Sequence, residues 1–139
     1  MGTPEVKITV DTNILVRAVV RDDEKQARAA ARLLKSAEVI AVPLPCLCEF
    51  VWVLSSVYSF TQDEISEAIH ALINAENVAV NHPAVEAGLA ILNAGGDFAD
   101  GPIAYEGRWL GGDVFVSFDK KAVSLIAGQG HQAKLLSGS

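Results

Sequence analysis

The chain has 139 residues, of which half are hydrophobic and a fifth are charged, so its composition is globular and excludes a disordered chain. Its length suits one domain, which we expect to span residues 1–136, with residues 137–139 as a frayed tail. The net charge of −6 argues against a simple basic nucleic-acid binder, because phosphate contacts come from Lys and Arg.

The charges are distributed unevenly along the chain. Seven of the eleven basic residues precede residue 37, whereas residues 36–107 contain ten acidic residues and no Lys or Arg. A chain with this asymmetry can still hold a polyanion if metal ions neutralise its acidic part. Arg17, Arg21 and the pair Arg28 and Arg32 are candidates for contacts to a phosphate backbone, and a solvated helix face is the alternative for each.

The cysteines and the apolar segments indicate the compartment. Cys46 and Cys48 lack the paired spacing of a zinc site and are too few for a disulfide framework, so we expect reduced, packed side chains in a cytoplasmic protein. Residues 1–10 have no basic start followed by an apolar stretch, which predicts no signal peptide. The apolar run within residues 39–62 is shorter than a membrane span, so we expect no membrane association.

Short strands alternate with helical segments along the chain. In chain order, the predicted elements are a strand at 6–10, a helix at 22–35, a strand at 39–42, helices at 46–57 and 61–74, a strand at 77–80, helices at 83–96 and 100–107, a strand at 114–118, a helix at 120–127 and a strand at 132–136. Thr61 and Glu64 form a capping box at one helix start. This order predicts an α/β fold with a mostly parallel central sheet and helices on both of its faces.

Two aspartates directly follow predicted strands. Asp11 follows the first strand, and Asp119 follows the strand at 114–118. The carboxyl ends of strands are where sites form in such sheets, so both side chains would enter one crevice if the strands are near neighbours. For either aspartate alone, a helix cap or a turn is the better interpretation.

Glu49 is the only charged residue in residues 39–62 and belongs to a helix that is apolar nearly all round, which predicts burial or an interface. A buried carboxylate must be neutral, paired with a base such as Arg17 or Lys120, or bound to a cation. Asp97 and Asp100 share a helical face, and Pro102 in the first turn leaves Asp100 or Gly101 as the predicted helix cap.

Carboxylates from four chain segments with few nearby bases repel one another unless a hard cation lies among them. Mg²⁺ and Mn²⁺ prefer oxygen ligands, and such a metal can polarise a phosphoryl oxygen and activate a water. Phosphoryl transfer is therefore the chemistry that these residues suit. The three histidines are scattered, and the chain has no phosphate-binding glycine loop or nucleophile elbow.

Four segments in this order resemble the four motifs of a PIN domain, and they cover nearly the whole chain. They are residues 8–15 (ITVDTNIL), 48–54 (CEFVWVL), 97–104 (DFADGPIA) and 116–121 (VSFDKK). The size and the motif details look like the VapC toxins of VapBC toxin–antitoxin pairs. The resemblance implies a Mg²⁺- or Mn²⁺-dependent endoribonuclease that hydrolyses RNA with a metal-activated water, a VapB-like antitoxin as its partner, and a homodimer.

The resemblance also implies roles for individual residues. The positions matching the acidic metal-site residues of the family are Asp11, Glu49, Asp100 and Asp119, with Asp97, Ser117 and Asn13 as accessory candidates. The helix that carries Glu49, Phe50 and Trp52, with the segment to Phe60, is a candidate for the dimer or antitoxin interface, and ordinary core is its alternative. Gly101 and Pro102 depart from the family, which more often has helix-forming residues there.

Two other classes of protein remain as alternatives. A non-catalytic module with the same fold would only sequester a partner. A receiver-like signalling domain would also be small, acidic and Mg²⁺-binding, but it needs a central phosphoacceptor aspartate, and the strand at 39–42 ends in Pro43 instead.

Overall fold

The computed structural model describes residues 6–138, and the predictions made for residues 1–5 and for Ser139 lie outside them. The chain divides into two compact units, the first ending at Asn81 and the second beginning at His82. The single domain over residues 1–136 stays a prediction. No helix in the described part of the chain is long and apolar enough to span a membrane.

Within residues 6–81, the first unit has a three-stranded parallel sheet and four helices. Its elements are β1 (Lys7–Thr9), α1 (Thr12–Val19), α2 (Glu24–Ser36), β2 (Val39–Ala41), α3 (Leu44–Ser56), α4 (Gln62–Ile73) and β3 (Val78–Ala79). The strand order is β1-β2-β3, with Ile40 of β2 paired with Ile8 on one side and with Val78 on the other. The largest fully buried side chains here are Leu15, Ile40, Leu47, Phe50, Leu54 and Ile69.

Local sequence signals account for the ends of these helices. Asp23 caps α2 by accepting a 3.0 Å hydrogen bond from the backbone N–H of Gln26. The predicted capping box of α4 is confirmed, since the Thr61 N–H donates to the Glu64 carboxylate at 2.8 Å and the Glu64 N–H donates to the Thr61 hydroxyl at 3.2 Å. Pro45 lies in the first turn of α3, which begins two residues before its predicted start.

Over residues 82–138, the second unit has a two-stranded parallel sheet and three helices. Its elements are α5 (His82–Asn93), α6 (Asp100–Trp109), β4 (Phe115–Ser117), α7 (Lys120–Gly128) and β5 (Ala133–Leu135). Strands β4 and β5 pair with Val116 opposite Lys134. Ile91, Ala104 and Ile126 form a buried cluster between helices and sheet, and Phe98 is completely buried.

The predicted α/β class is confirmed, since every strand pair in the described residues is parallel and helices separate the strands. The sequence patterns located each strand to within one or two residues. They did not predict α1, although a helix cap or a turn was the preferred interpretation of Asp11 taken alone. Asp11 is in fact the N-cap of that helix, whose β-branched residues have modest helix propensity.

Candidate functional site

Asp11 lies at the junction between β1 and α1 and is exposed. Its Oδ1 atom accepts a 3.2 Å hydrogen bond from the backbone N–H of Ile14. The capping interpretation of this residue is therefore correct. A cap uses one carboxylate oxygen, which leaves Oδ2 for a further ligand.

Glu49 lies on α3 and is exposed, so burial within the chain is wrong, and the alternative of an interface stays a prediction. The apolar residues of α3 do not all turn inward: Phe50 is 1% exposed, whereas Trp52 is 61% exposed. Water can solvate the Glu49 carboxylate, so its charge requires neither a bound cation nor a base. Arg17, which was considered as its base, pairs with Asp22 at 2.6 Å.

A cavity of about 410 Å³ in the first unit brings Asp11 and Glu49 together. It lies where α1, which packs against α3, begins. The residues that line it are Asp11, Thr12, Asn13, Pro43, Pro45, Cys46 and Glu49. Burial raises the pKa of the Cys46 thiol, and the charges of Asp11 and Glu49 raise it further against a hydrogen bond from Thr12. The packed, protonated Cys46 agrees with the expectation of a reduced, structural cysteine.

Asp100 is the most perturbed carboxyl group of the second unit. It is the first residue of α6 and half-buried, and burial raises its pKa, as do the neighbouring charges of Asp97 and Asp119. The predicted cap at Asp100 or Gly101 is wrong: Ala99 is the N-cap position, and it makes no capping side-chain hydrogen bond. The N–H of Ala99 instead donates to Oδ1 of Asp97 at 3.2 Å.

Asp119 is exposed and caps α7. Its Oδ1 accepts from the backbone N–H groups of Lys121 and Ala122 at 2.9 and 3.2 Å, and its own N–H donates to the Ser117 hydroxyl at 2.9 Å. Ser117 thus holds the backbone that presents Asp119. Both hydrogen bonds to the Asp119 side chain use Oδ1, so Oδ2 is again left for a ligand.

The basic residues predicted to contact RNA are not equally available. Arg17 donates to Asp22 at 2.6 Å and to Gln26 at 2.8 Å, and Tyr58 donates to the same Asp22 carboxylate at 2.9 Å. The hydrogen bond with Tyr58 and the charge of Asp22 raise the pKa of Arg17. The ion pair and hydrogen bonds hold Arg17 within the first unit, and its candidacy for phosphate contacts stays a prediction.

The acids fall into one pair and one group of three, each within its own unit. Asp11 and Glu49 share a cavity, and Asp97 and Asp119 act electrostatically on Asp100. Within residues 6–138, no three His, Cys, Asp or Glu side chains are close enough to hold a metal ion. The candidate ligands nevertheless fit a hard divalent cation, because all of them are carboxylates. A cation beside Asp100 would also offset the repulsion from Asp97 and Asp119 that helps to raise the pKa of Asp100.

Asp11 and Asp119 thus lie between a strand end and a helix start, which is where sites form in α/β sheets. The PIN domain family model matches residues 8–125, which is most of the chain. The chain therefore belongs to the PIN domain family, whose members have a nuclease-type fold and are generally metal-dependent ribonucleases. No curated protein matches the chain significantly. The resemblance to PIN domains is thus confirmed, and the receiver-like alternative falls away.

Four further residues line the cavity that contains Asp11 and Glu49, and no signal in the sequence connects them with the site. Thr12 follows Asp11, Cys46 lies one turn before Glu49, and Pro43 and Pro45 flank the start of α3. Pro43 was interpreted in the sequence only as the end of the strand at 39–42. The position of these residues beside a carboxylate pair depends on β1 and β2 being adjacent, which no local pattern specifies.

Proposed function

We propose that this protein is a Mg²⁺- or Mn²⁺-dependent endoribonuclease and the toxin component of a type II toxin–antitoxin pair. Asp11, Glu49, Asp100 and Asp119 are the proposed catalytic carboxylates that hold the metal. The two pairs belong to different units, and the proposal that they serve one reaction rests on family membership and on the order of the four motifs.

The observation that carries the proposal is the environment of Asp100. Its carboxyl group is half-buried beside the charges of Asp97 and Asp119, and its pKa is raised, in a chain that belongs to a nuclease-type family. Carboxylates whose ionised forms are destabilised by burial and by one another are typical of functional sites. At such sites a bound ligand, rather than the fold, offsets that destabilisation. Asp97 is proposed as an accessory to this group.

The protein residues have positioning roles that follow from their hydrogen bonds. The Ser117 hydroxyl accepts from the N–H of Asp119, and the start of α7 holds Oδ1 of Asp119, so the direction of Oδ2 is set before any ligand binds. Asp11 is oriented in the same way by the start of α1. A divalent cation held by these oxygens would supply polarisation of a phosphoryl oxygen and activation of a water nucleophile.

The toxin assignment also needs a surface for the antitoxin and for a second copy. The first unit has a larger cavity of about 570 Å³, with Leu15, Phe50, Phe60 and Leu72 among its apolar lining residues and Glu64 and Glu67 as its acidic ones. It shares no lining residue with the cavity that contains Asp11. An apolar, acid-bordered cavity suits a VapB-like segment with apolar and basic side chains. The exposed Trp52 on α3 is proposed to lie in the homodimer interface.

The test of the nuclease is cleavage of single-stranded and structured RNAs by the purified protein with Mg²⁺ or Mn²⁺. We expect metal-dependent cleavage that EDTA abolishes and that Asp100→Asn reduces by at least about a hundredfold. The matched control is Glu106→Gln, which removes an exposed carboxylate from the same helix and should cleave like the parent protein.

Retained cleavage in Asp100→Asn would reject the site assignment. An absence of cleavage of every RNA, with Mn²⁺ still bound, would favour the alternative of a non-catalytic PIN-fold binding module. The partner is tested separately by co-purification with the product of a short reading frame adjacent to the gene. A protein that sediments as a monomer at high concentration would contradict the proposed homodimer.

A further inference from the structure

The outward face of α2 carries a row of basic side chains. Its members lie three or four positions apart, so they follow one another along one face of the helix. The opposite face packs inward through the buried Ala27 and Ala30, and α2 packs against α1. This basic row consists of Lys25, Arg28, Arg32 and Lys35, all of them exposed.

The acidic side chains at the start of α2 do not neutralise the row, because each of them is engaged elsewhere. Asp22 pairs with Arg17 at 2.6 Å. Glu24 pairs with Arg21 at 3.6 Å, and Asp23 caps the helix. Within residues 6–138, no carboxylate forms an ion pair with a member of the basic row. The row therefore keeps four positive charges in a chain whose net charge is −6.

Neighbouring charges in the row repel one another. Like charges three or four residues apart destabilise a helix, and the row contains three such pairs in succession. The chain has seventeen acidic residues, yet none of them lies between Lys25 and Lys35. An anion bound along the row would remove this repulsion, and a basic stripe along one helix face is typical of proteins that bind a polyanion.

The length of the row matches a short stretch of phosphate backbone. A helix rises about 1.5 Å per residue, so the row spans roughly 15 Å from Lys25 to Lys35. A helical nucleic-acid strand advances roughly 3.4 Å per phosphate, so about four phosphates would lie beside the four cations. Helix α2 has no Phe, Tyr or Trp, and stacked bases are usually bound on such side chains. Contacts along the row would therefore be made to the backbone and would not depend on base sequence.

From these observations we infer that the basic row is an exosite for the phosphate backbone of RNA. The inference rests on the proposed function for its occupant and adds a second point of attachment outside the carboxylate site. The row residues line neither the cavity that contains Asp11 nor the larger apolar cavity of the first unit. An RNA that reaches both surfaces binds more tightly than one that reaches only the carboxylates, because its second contact is intramolecular.

The test measures RNA binding in the absence of metal and cleavage. Full-length protein in EDTA is titrated against a fluorescently labelled, unstructured RNA of about 20 nucleotides, and anisotropy gives Kd at roughly 50 to 200 mM NaCl. Each phosphate neutralised on a single strand adds about 0.7 to the slope of log Kd against log salt concentration. Arg28→Gln/Arg32→Gln should therefore lower this slope by about 1.4.

The quadruple variant Lys25→Gln/Arg28→Gln/Arg32→Gln/Lys35→Gln should lower the slope by about 2.8, so that its affinity falls about fiftyfold less than that of the parent over the same salt range. Glutamine has nearly the helix propensity of lysine and arginine, and far-ultraviolet circular dichroism checks that each variant is folded. With Mg²⁺, the row variants should raise KM for this RNA and leave kcat at saturating RNA unchanged.

Lys7→Gln/Lys134→Gln is the matched control. It removes two exposed positive charges from strands β1 and β5, as many as Arg28→Gln/Arg32→Gln removes from the row. The net charge of the two double variants is the same, so a general effect of charge would change both slopes equally. We expect the control to keep the slope of the parent.

An unchanged slope in Arg28→Gln/Arg32→Gln, or an equal decrease in the control, would overturn the exosite. Polyglutamate of the same charge that binds as tightly as RNA would overturn the choice of RNA as the occupant. Cleavage by the same preparation with Mg²⁺ distinguishes the two proposals. Cleavage with an unchanged slope would refute the exosite alone, whereas a slope that depends on the row, without cleavage, would support the exosite and refute the nuclease.

Discussion

Gly101 allows the backbones of α5 and α6 to touch, and its replacement by alanine is the sharpest test of this packing. An added Cβ would lie 2.3 Å from the carbonyl oxygen of Ala87 and 2.4 Å from both the carbonyl carbon of Ala87 and the nitrogen of Gly88. All three atoms are backbone, so no side chain can rotate away. In the sequence, Gly101 is a possible helix cap and a departure from the family, and the structure gives the physical reason for a glycine here.

The magnitude follows from these distances. Ordinary contact begins near 3.4 Å, so α5 and α6 must separate by about 1 Å to admit the methyl group of Gly101→Ala. Overpacking of this kind costs about 1–3 kcal/mol of stability. The cost here should lie near the top of that range, because the added methyl group meets only backbone atoms, which cannot rotate away. Alanine regains up to about 1 kcal/mol of helix propensity. The expected net loss in free energy of unfolding is therefore about 2 kcal/mol, or roughly 6 °C in melting temperature.

The assay is urea and thermal unfolding followed by circular dichroism. Gly107→Ala is the matched control, because Gly107 belongs to the same helix but a Cβ there meets nothing within 4 Å. That variant should gain about 0.5–1 kcal/mol. Asp100 precedes Gly101, so Gly101→Ala should also reduce RNA cleavage relative to Gly107→Ala. A Gly101→Ala protein as stable as Gly107→Ala would refute the close approach of the two helices.

Three further predictions concern charge, capping and metal. In metal-free protein, Asp100→Asn should unfold at higher urea concentration than the parent at pH 7, since burial and the charges of Asp97 and Asp119 raise the pKa of Asp100 above its ordinary 3.8. Below pH 3.8, the two proteins should be equally stable, because Asp100 is protonated in both the folded and the unfolded state. The stability advantage of Asp100→Asn should then grow as the pH rises through the raised pKa, because the folded state binds the Asp100 proton more tightly than the unfolded state does. A stability difference that does not change with pH would contradict this. Thr61→Ala should lower the free energy of unfolding by about 1 kcal/mol by removing the hydrogen bond to the Glu64 N–H, and an unchanged urea midpoint would count against the capping box. Mn²⁺ at a hundred times its dissociation constant should stabilise the parent by about 2.7 kcal/mol in thermal unfolding and should stabilise Asp100→Asn less, and equal stabilisation of the two would place the metal elsewhere.

The identity of the acids was accessible from the sequence, but their surroundings were not. Asp11 and Asp119 follow recognisable strands, so their exposure at helix starts could be expected from local rules. For Glu49, the apolar residues of α3 predicted burial or an interface, and the structure contradicts burial alone. Trp52 is 61% exposed, and a tertiary structure is needed to decide which side of an apolar helix faces the core.

The sequence by itself determined the α/β order, the helix caps at Asp11, Thr61 and Asp119 and the four acidic motifs, because these depend on residues a few positions apart. Only the tertiary structure decided which residues share a cavity and which backbones touch. Asn13 and Pro45 come together because β1 pairs with β2, and Gly101 is needed because α6 crosses α5 at Gly88. Such contacts join residues far apart in the chain, and packing rather than local propensity selects them.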